Sequence, residues 1–182
     1  FRIVESSEIN LLLRELIQKT SRHSLPFHIT IIESPVPREI AFPGGYVVIT
    51  SGLWKLATTL EEQKFIVARN LVHMLLKHPI KVMKREGLYA SILKTLKIPE
   101  NRRDRELSRQ LLRKYLKASI GMDQKRADIE ALSFFDHPEL GRRAAILLLQ
   151  KIDKALWPIA PWDLLDIEGR IKNLESFSCS SK

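Results

Sequence analysis

The chain has 182 residues, of which 45% are hydrophobic; that is enough for one substantial core and too little for two ordinary domains, so residues 1–182 are read as a single domain. Its 28% charged content, with only 7 Gly and 9 Pro, excludes a disordered or low-complexity chain. The 30 basic against 21 acidic residues leave a net charge of +9, which favours anionic partners (an acidic protein, lipid head groups or nucleic acid) without choosing among them.

In chain order, Ser6 or Ser7 caps a first helix in which Ile9, Leu12, Leu13, Leu16 and Ile17 recur at helical spacing, ending near Arg22. Phe27 to Glu33 is rich in β-branched residues between Pro26 and Pro35 and predicts a strand; Tyr46 to Thr50 predicts another. Between them the prolines and paired glycines of Pro35 to Gly45 predict a turn without regular structure, so the sheet is expected to be small. Thr59 with Glu62 forms a capping-box pattern for a helix reaching about His78. Further helices are predicted over Lys81 to Leu96, Arg102 to Ala118, Met122 to Phe135, Pro138 to Leu156 and Asp163 to Phe177, with Pro99, Gly121, Pro138 and Pro158 to Pro161 as punctuation. The expected class is α+β, mostly helical.

No apolar run approaches the ~18 residues a membrane span needs, since Arg69, Asn70 and Lys77 interrupt the longest one, so this stretch is expected to be soluble. A first residue of Phe1 is consistent with a trimmed form whose signal or anchor has been removed. The single Cys179 excludes an internal disulfide. No nucleophile elbow and no Cys-His arrangement is legible, and the Pro43-Gly44-Gly45 turn lacks the Lys-Ser/Thr of a phosphate loop. Eleven Lys and Arg from Lys84 to Lys117 supply much of the positive charge, but only Tyr89 and Tyr115 are there to stack on bases, so nucleic acid is the weaker partner class. Trp157 and Trp162 flank a proline-rich link and are expected to pack over the core.

The run from Ala41 to His78, with its Pro-Gly-Gly turn, strand, Gly-Leu helix start and Arg69-Asn70-x-x-His73 helix, resembles the HtpX-type and BepA-type zinc metallopeptidases, relatives of the CAAX prenyl endopeptidases. Arg126-Ala127-Asp128 and Glu168-Gly169-Arg170-Ile171 extend the resemblance over nearly the whole chain. It implies a zincin-like domain with a small sheet, and a cell-envelope or membrane-associated setting. In such enzymes two histidines at i and i+4 and a glutamate from a later helix bind zinc, while a glutamate beside the first histidine is the general base. Carried over, the first ligand falls on Arg69, the base on Asn70, the second ligand on His73 and the third on Arg126.

Only His73 retains ligand chemistry. A guanidinium has no lone pair to offer, and at ~4 Å with an effective dielectric of ~20 it opposes a dication by about 8 kcal/mol. An amide at Asn70 cannot take a proton from water near neutral pH. The expectation is therefore a catalytically inactive domain without zinc, retaining a groove along Ile40, Ala41, Phe42, Pro43, Gly44 and Gly45 for an extended peptide, a partner protein or an active paralogue. The rival readings are an active zinc endopeptidase with non-standard ligands and a basic helical module for nucleic acid or an anionic surface. His73 is more simply a hydrogen-bonded core histidine than the remnant of a site rebuilt with Asp123, Asp128, Asp136 or His137. Arg69 or Arg126 is expected to pair with Asp128 and tie two helices together in place of a metal.

Overall fold

A computed structural model describes residues 2–20, 26–95, 102–156 and 166–178, with 88–95, 102–109, 111–117 and 156 described as backbone only. Trp157 and Trp162 with the prolines between them, Pro99 and Cys179 lie outside the described residues, as do the side chains of Tyr89, Tyr115 and most of the basic stretch.

The protein is α+β. The order is β1 (Ile3–Val4), α1 (Ser7–Gln18), β2 (His28–Ile32), β3 (Glu39–Phe42), β4 (Tyr46–Thr50), α2 (Ser51–Leu56), α3 (Leu60–Leu75), α4 (His78–Thr95), α5 (Arg102–Ala131), a 3-10 turn (Leu132–Phe134), α6 (Pro138–Leu156) and α7 (Ile167–Ser176). The strands form one sheet in the order β1-β2-β4-β3, with β2 parallel to β4 and both outer pairs antiparallel.

The Pro35 to Gly45 segment departs from its expectation, because it contains strand β3, paired with β4 from Glu39↔Ile49 to Phe42↔Tyr46. Its prolines lie before the strand and in the following turn, where no ladder hydrogen bond is required of them. Gly44 and Gly45 both take φ +92, a conformation that side chains disfavour. Gly45 is further constrained, since an added Cβ would lie 1.7 Å from the Pro26 carbonyl oxygen. Its own carbonyl accepts the His28 N–H at 2.9 Å, which docks the hairpin on the start of β2. Gly45→Ala is expected to destabilise the fold by about 3 kcal/mol, against about 1–2 for Gly44→Ala, whose added Cβ would make only ordinary contact with the Tyr46 ring at 3.7 Å. Urea midpoints of the two variants check the ranking.

Helix α3 is the centre of the molecule. From Phe65 to His73 every residue is buried, because α1, α4, α5, α6 and strand β3 surround it. Such a helix shows weak amphipathic periodicity. Its start is held by the predicted capping box at Thr59 and Glu62. The buried Glu62 carboxylate accepts from the Thr58 and Thr59 N–H groups at 2.7 and 3.2 Å and takes the Lys151 ammonium of α6 at 2.6 Å. One face of the sheet, carrying Ile31, Val47 and Ile49, joins the core with Leu12, Leu16, Phe65 and Leu71.

Two further expectations are corrected. Helix α3 ends at Leu75, and Lys77 in the left-handed region (φ +56) reverses the chain so that α4 begins at His78. Gly121 does not end a helix: α5 runs through it from Arg102 to Ala131, since glycine keeps its N–H donor and costs only about 1 kcal/mol inside a helix. Helix α6 matches its expected bounds. Among the described residues no helix is long and apolar enough to cross a membrane.

Candidate functional site

The site forms where α3 faces α5. Positions 69 and 73 lie one turn apart on the inner face of α3, and 124 and 128 do the same on α5. Strand β3 closes one side, α4 another, and α7 brings Arg170 beneath.

Asp128 is completely buried and sits between two guanidinium groups. Its Oδ1 accepts from Arg69 Nε at 2.8 Å and Arg170 Nη2 at 2.8 Å, and its Oδ2 from Arg170 Nε at 2.7 Å. Arg69, 3% exposed, also pairs with Glu39 of β3. The Glu39 carboxylate in turn accepts from Asn70 Nδ2 at 2.6 Å, and the same amide donates to the Ile66 carbonyl at 2.9 Å. Two cations thus meet two carboxylates, so the cluster is close to neutral. Burial, reinforced by neighbouring Arg170 and opposed by Asp128, lowers the Arg69 pKa to about 9, which still leaves it charged at pH 7.

The expected tie between Arg69 and Asp128 is present. Arg126 takes no part in it: its side chain is 58% exposed and pairs with Glu130 one turn along the outer face of α5, Nε to Oε1 at 2.7 Å. The side chains of α5 that line the cavity with His73 and Asn70 are Ile120, Asp123 and Gln124. A shift of two residues on a helix rotates a side chain by about 200°, which separates Gln124 and Asp128 from Arg126.

His73 and His78 meet through their Nδ1 atoms at 3.0 Å, although five residues along a straight helix would have kept them apart. The left-handed Lys77 makes the contact possible by ending α3 between them. Behind His78, Nε2 lies 3.5 Å from Asp123 Oδ1, while Arg85 holds Asp123 Oδ2 at 2.8 Å. Burial pushes the His73 pKa well down, helped by Arg69, His78 and Arg170. It also lowers that of His78, against the opposing pull of Asp123. Both rings are therefore neutral at pH 7, and one Nδ1–H donates to the other ring.

An imidazole held down in the folded state but ordinary when unfolded takes up a proton on unfolding. Stability is then complete above about pH 6.5 and falls as the pH drops below it, by at most ~1.4 kcal/mol per unit for each ring. Urea denaturation at pH 7.5 and pH 5 is expected to show this slope, and His73→Asn should flatten it; equal slopes for both proteins would assign the loss to other groups.

Among the described residues no group of three or more His, Cys, Asp or Glu side chains is arranged to hold a metal ion. The residues of the expected groove fall in different places. Ile40 and Phe42 are exposed on β3, whose outer edge no other strand covers among the described residues. Ala41 and Glu39 turn inward to the cavity beside Asn70 and His73. Pro43, Gly44 and Gly45 line a separate groove with Met74, Lys77 and Ile80. Sequence reasoning missed Glu39, which lay in a segment read as a turn, and also the roles of Gln124 and His78. Arg170 belonged to a noted segment but had no assigned role.

Residues 4–150 match the model of peptidase family M48, a span that includes every residue of the site except Arg170. No curated protein matches the chain.

Proposed function

The chain belongs to peptidase family M48, and from that premise we propose that it is an inactive member of HtpX or BepA type, zincin-like in fold, that binds an extended peptide or protein segment along β3. The observation that carries this reading is the occupant of the first ligand position. Arg69 there is buried and committed to Asp128 and Glu39, so the cation a zinc ion would supply is already present as part of the protein.

The residues do not fit the zinc usual to the family. The guanidinium of Arg69 offers no lone pair, Asn70 is a neutral amide engaged by Glu39 and Ile66, and of the α5 side chains in the cavity Gln124 is an amide and Asp123 is already held by Arg85. His73, whose Nδ1 meets His78, keeps Nε2 as its one ligand nitrogen, and one imidazole is too few for a zinc site. Hydrolysis also needs a base for the attacking water, and neither Asn70 nor the ion-paired Glu39 has the free basicity for it. What supports retained binding is the edge of β3 that no strand pairs among the described residues, next to a cavity that can take a side chain.

The test is to incubate the protein with a fluorescent casein digest and with defined extended peptides. Anisotropy is expected to register binding that is unchanged by EDTA, with every peptide recovered intact by mass spectrometry. Chelator-sensitive cleavage would establish an active peptidase with unusual ligands; no binding to any extended peptide would remove the peptide role.

A further inference from the structure

The cavity between β3, α3, α4 and α5 has a volume of about 120 Å³, the scale of one long side chain and far less than a folded segment. Among the described residues, two buried side-chain atoms lack a hydrogen-bond partner, His78 Nε2 and Gln124 Oε1, and both residues line this cavity. His78 is 2% exposed. Native proteins rarely leave such groups unmet, because each costs about 1–3 kcal/mol. His78 Nε2 faces Asp123 Oδ1 at 3.5 Å, whereas the Gln124 carbonyl oxygen can only accept, so the ligand that would complete it is a hydrogen-bond donor.

The lining defines the ligand's chemistry. Its charged members are the carboxylates of Glu39 and Asp123, and among the described residues no Lys or Arg belongs to it. Arg69 and Arg85 each bind one of these carboxylates, but a carboxylate has about four acceptor positions and so keeps capacity for a further donor. The Gln124 carbonyl adds a third acceptor, and the neutral histidines do not repel a cation. Ala41 lines the wall contributed by the β3 edge, and its methyl takes little of the space there.

We propose that this cavity is a receptor for a single ammonium or guanidinium group, so that the peptide held on β3 carries a Lys or Arg side chain inserted between Glu39, Asp123 and Gln124. The peptide part of this assignment rests on the function proposed above, whereas the cavity can be probed by itself.

Acetylated seven-residue peptides of alternating valine and serine, with Lys, norleucine or Glu at the centre, separate the two. The Lys peptide is expected to bind about 10-fold more tightly than the norleucine peptide, the equivalent of one charge-assisted hydrogen bond. The Glu peptide should bind weakest. Gln124→Leu, which removes an unmet carbonyl and so should fold at least as well, is expected to shrink the preference, and Asp123→Asn to shrink it further. n-Butylamine serves as the strand-free probe, read by the ring resonances of His73 and His78. Peptides that bind equally well with Lys or norleucine overturn the cation receptor and leave the β3 reading standing. A response to butylamine that Gln124→Leu abolishes, with no peptide bound, supports the receptor and removes the β3 reading. Silence from every probe overturns the proposal.

Discussion

Asp128→Ala is expected to lower stability by about 3–5 kcal/mol, a large part of the total for a domain of this size, and to leave the protein unfolded or aggregating at 37 °C. The substitution removes a side chain with no solvent exposure and strands two buried guanidinium groups that make three hydrogen bonds to it. Both guanidinium groups are then buried without the carboxylate they shared, which is the costly way to break such a cluster. Arg69→Met should cost less, because Arg170 still holds Asp128 through two hydrogen bonds and the Glu39 side chain, 20% exposed, can turn toward water. The informative companion is Arg69→Met/Asp128→Leu/Arg170→Met. Replacing a whole buried ion cluster with apolar groups of similar volume is often neutral or stabilising, so this triple variant should recover most of what Asp128→Ala loses. Urea unfolding of the natural protein and the three variants checks the order. A change below about 1 kcal/mol for Asp128→Ala would mean that the cluster is more hydrated than its burial implies.

The second large effect concerns metal. The natural protein, purified without chelator and loaded with zinc, is expected to retain none in stoichiometric amount. Arg69→His/Asn70→Glu/Gln124→Glu is expected to take up one zinc ion per chain, and at a free concentration ~1,000 times its Kd this stabilises the fold by about 4 kcal/mol. Position 124 is chosen because Gln124 lines the same cavity as Asn70 and His73. The matching variant with Arg126→Glu in place of Gln124→Glu should fail to bind, since Arg126 points outward and is paired with Glu130. Metal analysis and thermal shift read all three proteins. Stoichiometric zinc in the natural protein would overturn the inactive reading; uptake by the Arg126→Glu combination would mean that α5 is rotated to bring position 126 inward.

Much of the architecture was legible because local patterns coincide with the tertiary result. The spacing of Ile9, Leu12, Leu13 and Leu16 marks the buried stripe of α1, and the same residues join the core. Thr59 and Glu62 announce the start of α3, and the Ser6 hydroxyl accepts the Ile9 N–H at the start of α1. The mixture of strands followed by helices implied α+β. Glycine and proline were less reliable guides. Proline excludes a position from a ladder only when its missing N–H would have been used, so β3 formed between prolines. Gly121 adopted the helical conformation of its long flanking segments.

The chemistry of the candidate site was legible residue by residue and not as a constellation. That Arg69 and Asn70 stand in a helix beside His73, with an aspartate at 128, follows from the sequence, and so does the poverty of that set as metal ligands. Which partners they meet does not follow, because each contact depends on how distant elements are rotated. Asp128 faces Arg69 and Arg170 across 59 and 42 residues of chain, and Glu39 reaches Asn70 across 31. The rotation of α5 decides that Gln124 faces the cavity while Arg126 faces water, and in a helix with so many polar residues no local signal says which of the two turns inward. The His73–His78 pair was decided by a single left-handed residue, Lys77, which no glycine or asparagine advertised. Sequence determined most of the elements, the family resemblance and the inventory of chemical groups, because these depend on neighbours within a few residues. Tertiary packing alone decided that the inventory closes into a buried ion cluster beside an acidic cavity, because long-range charge pairing depends on where helices meet.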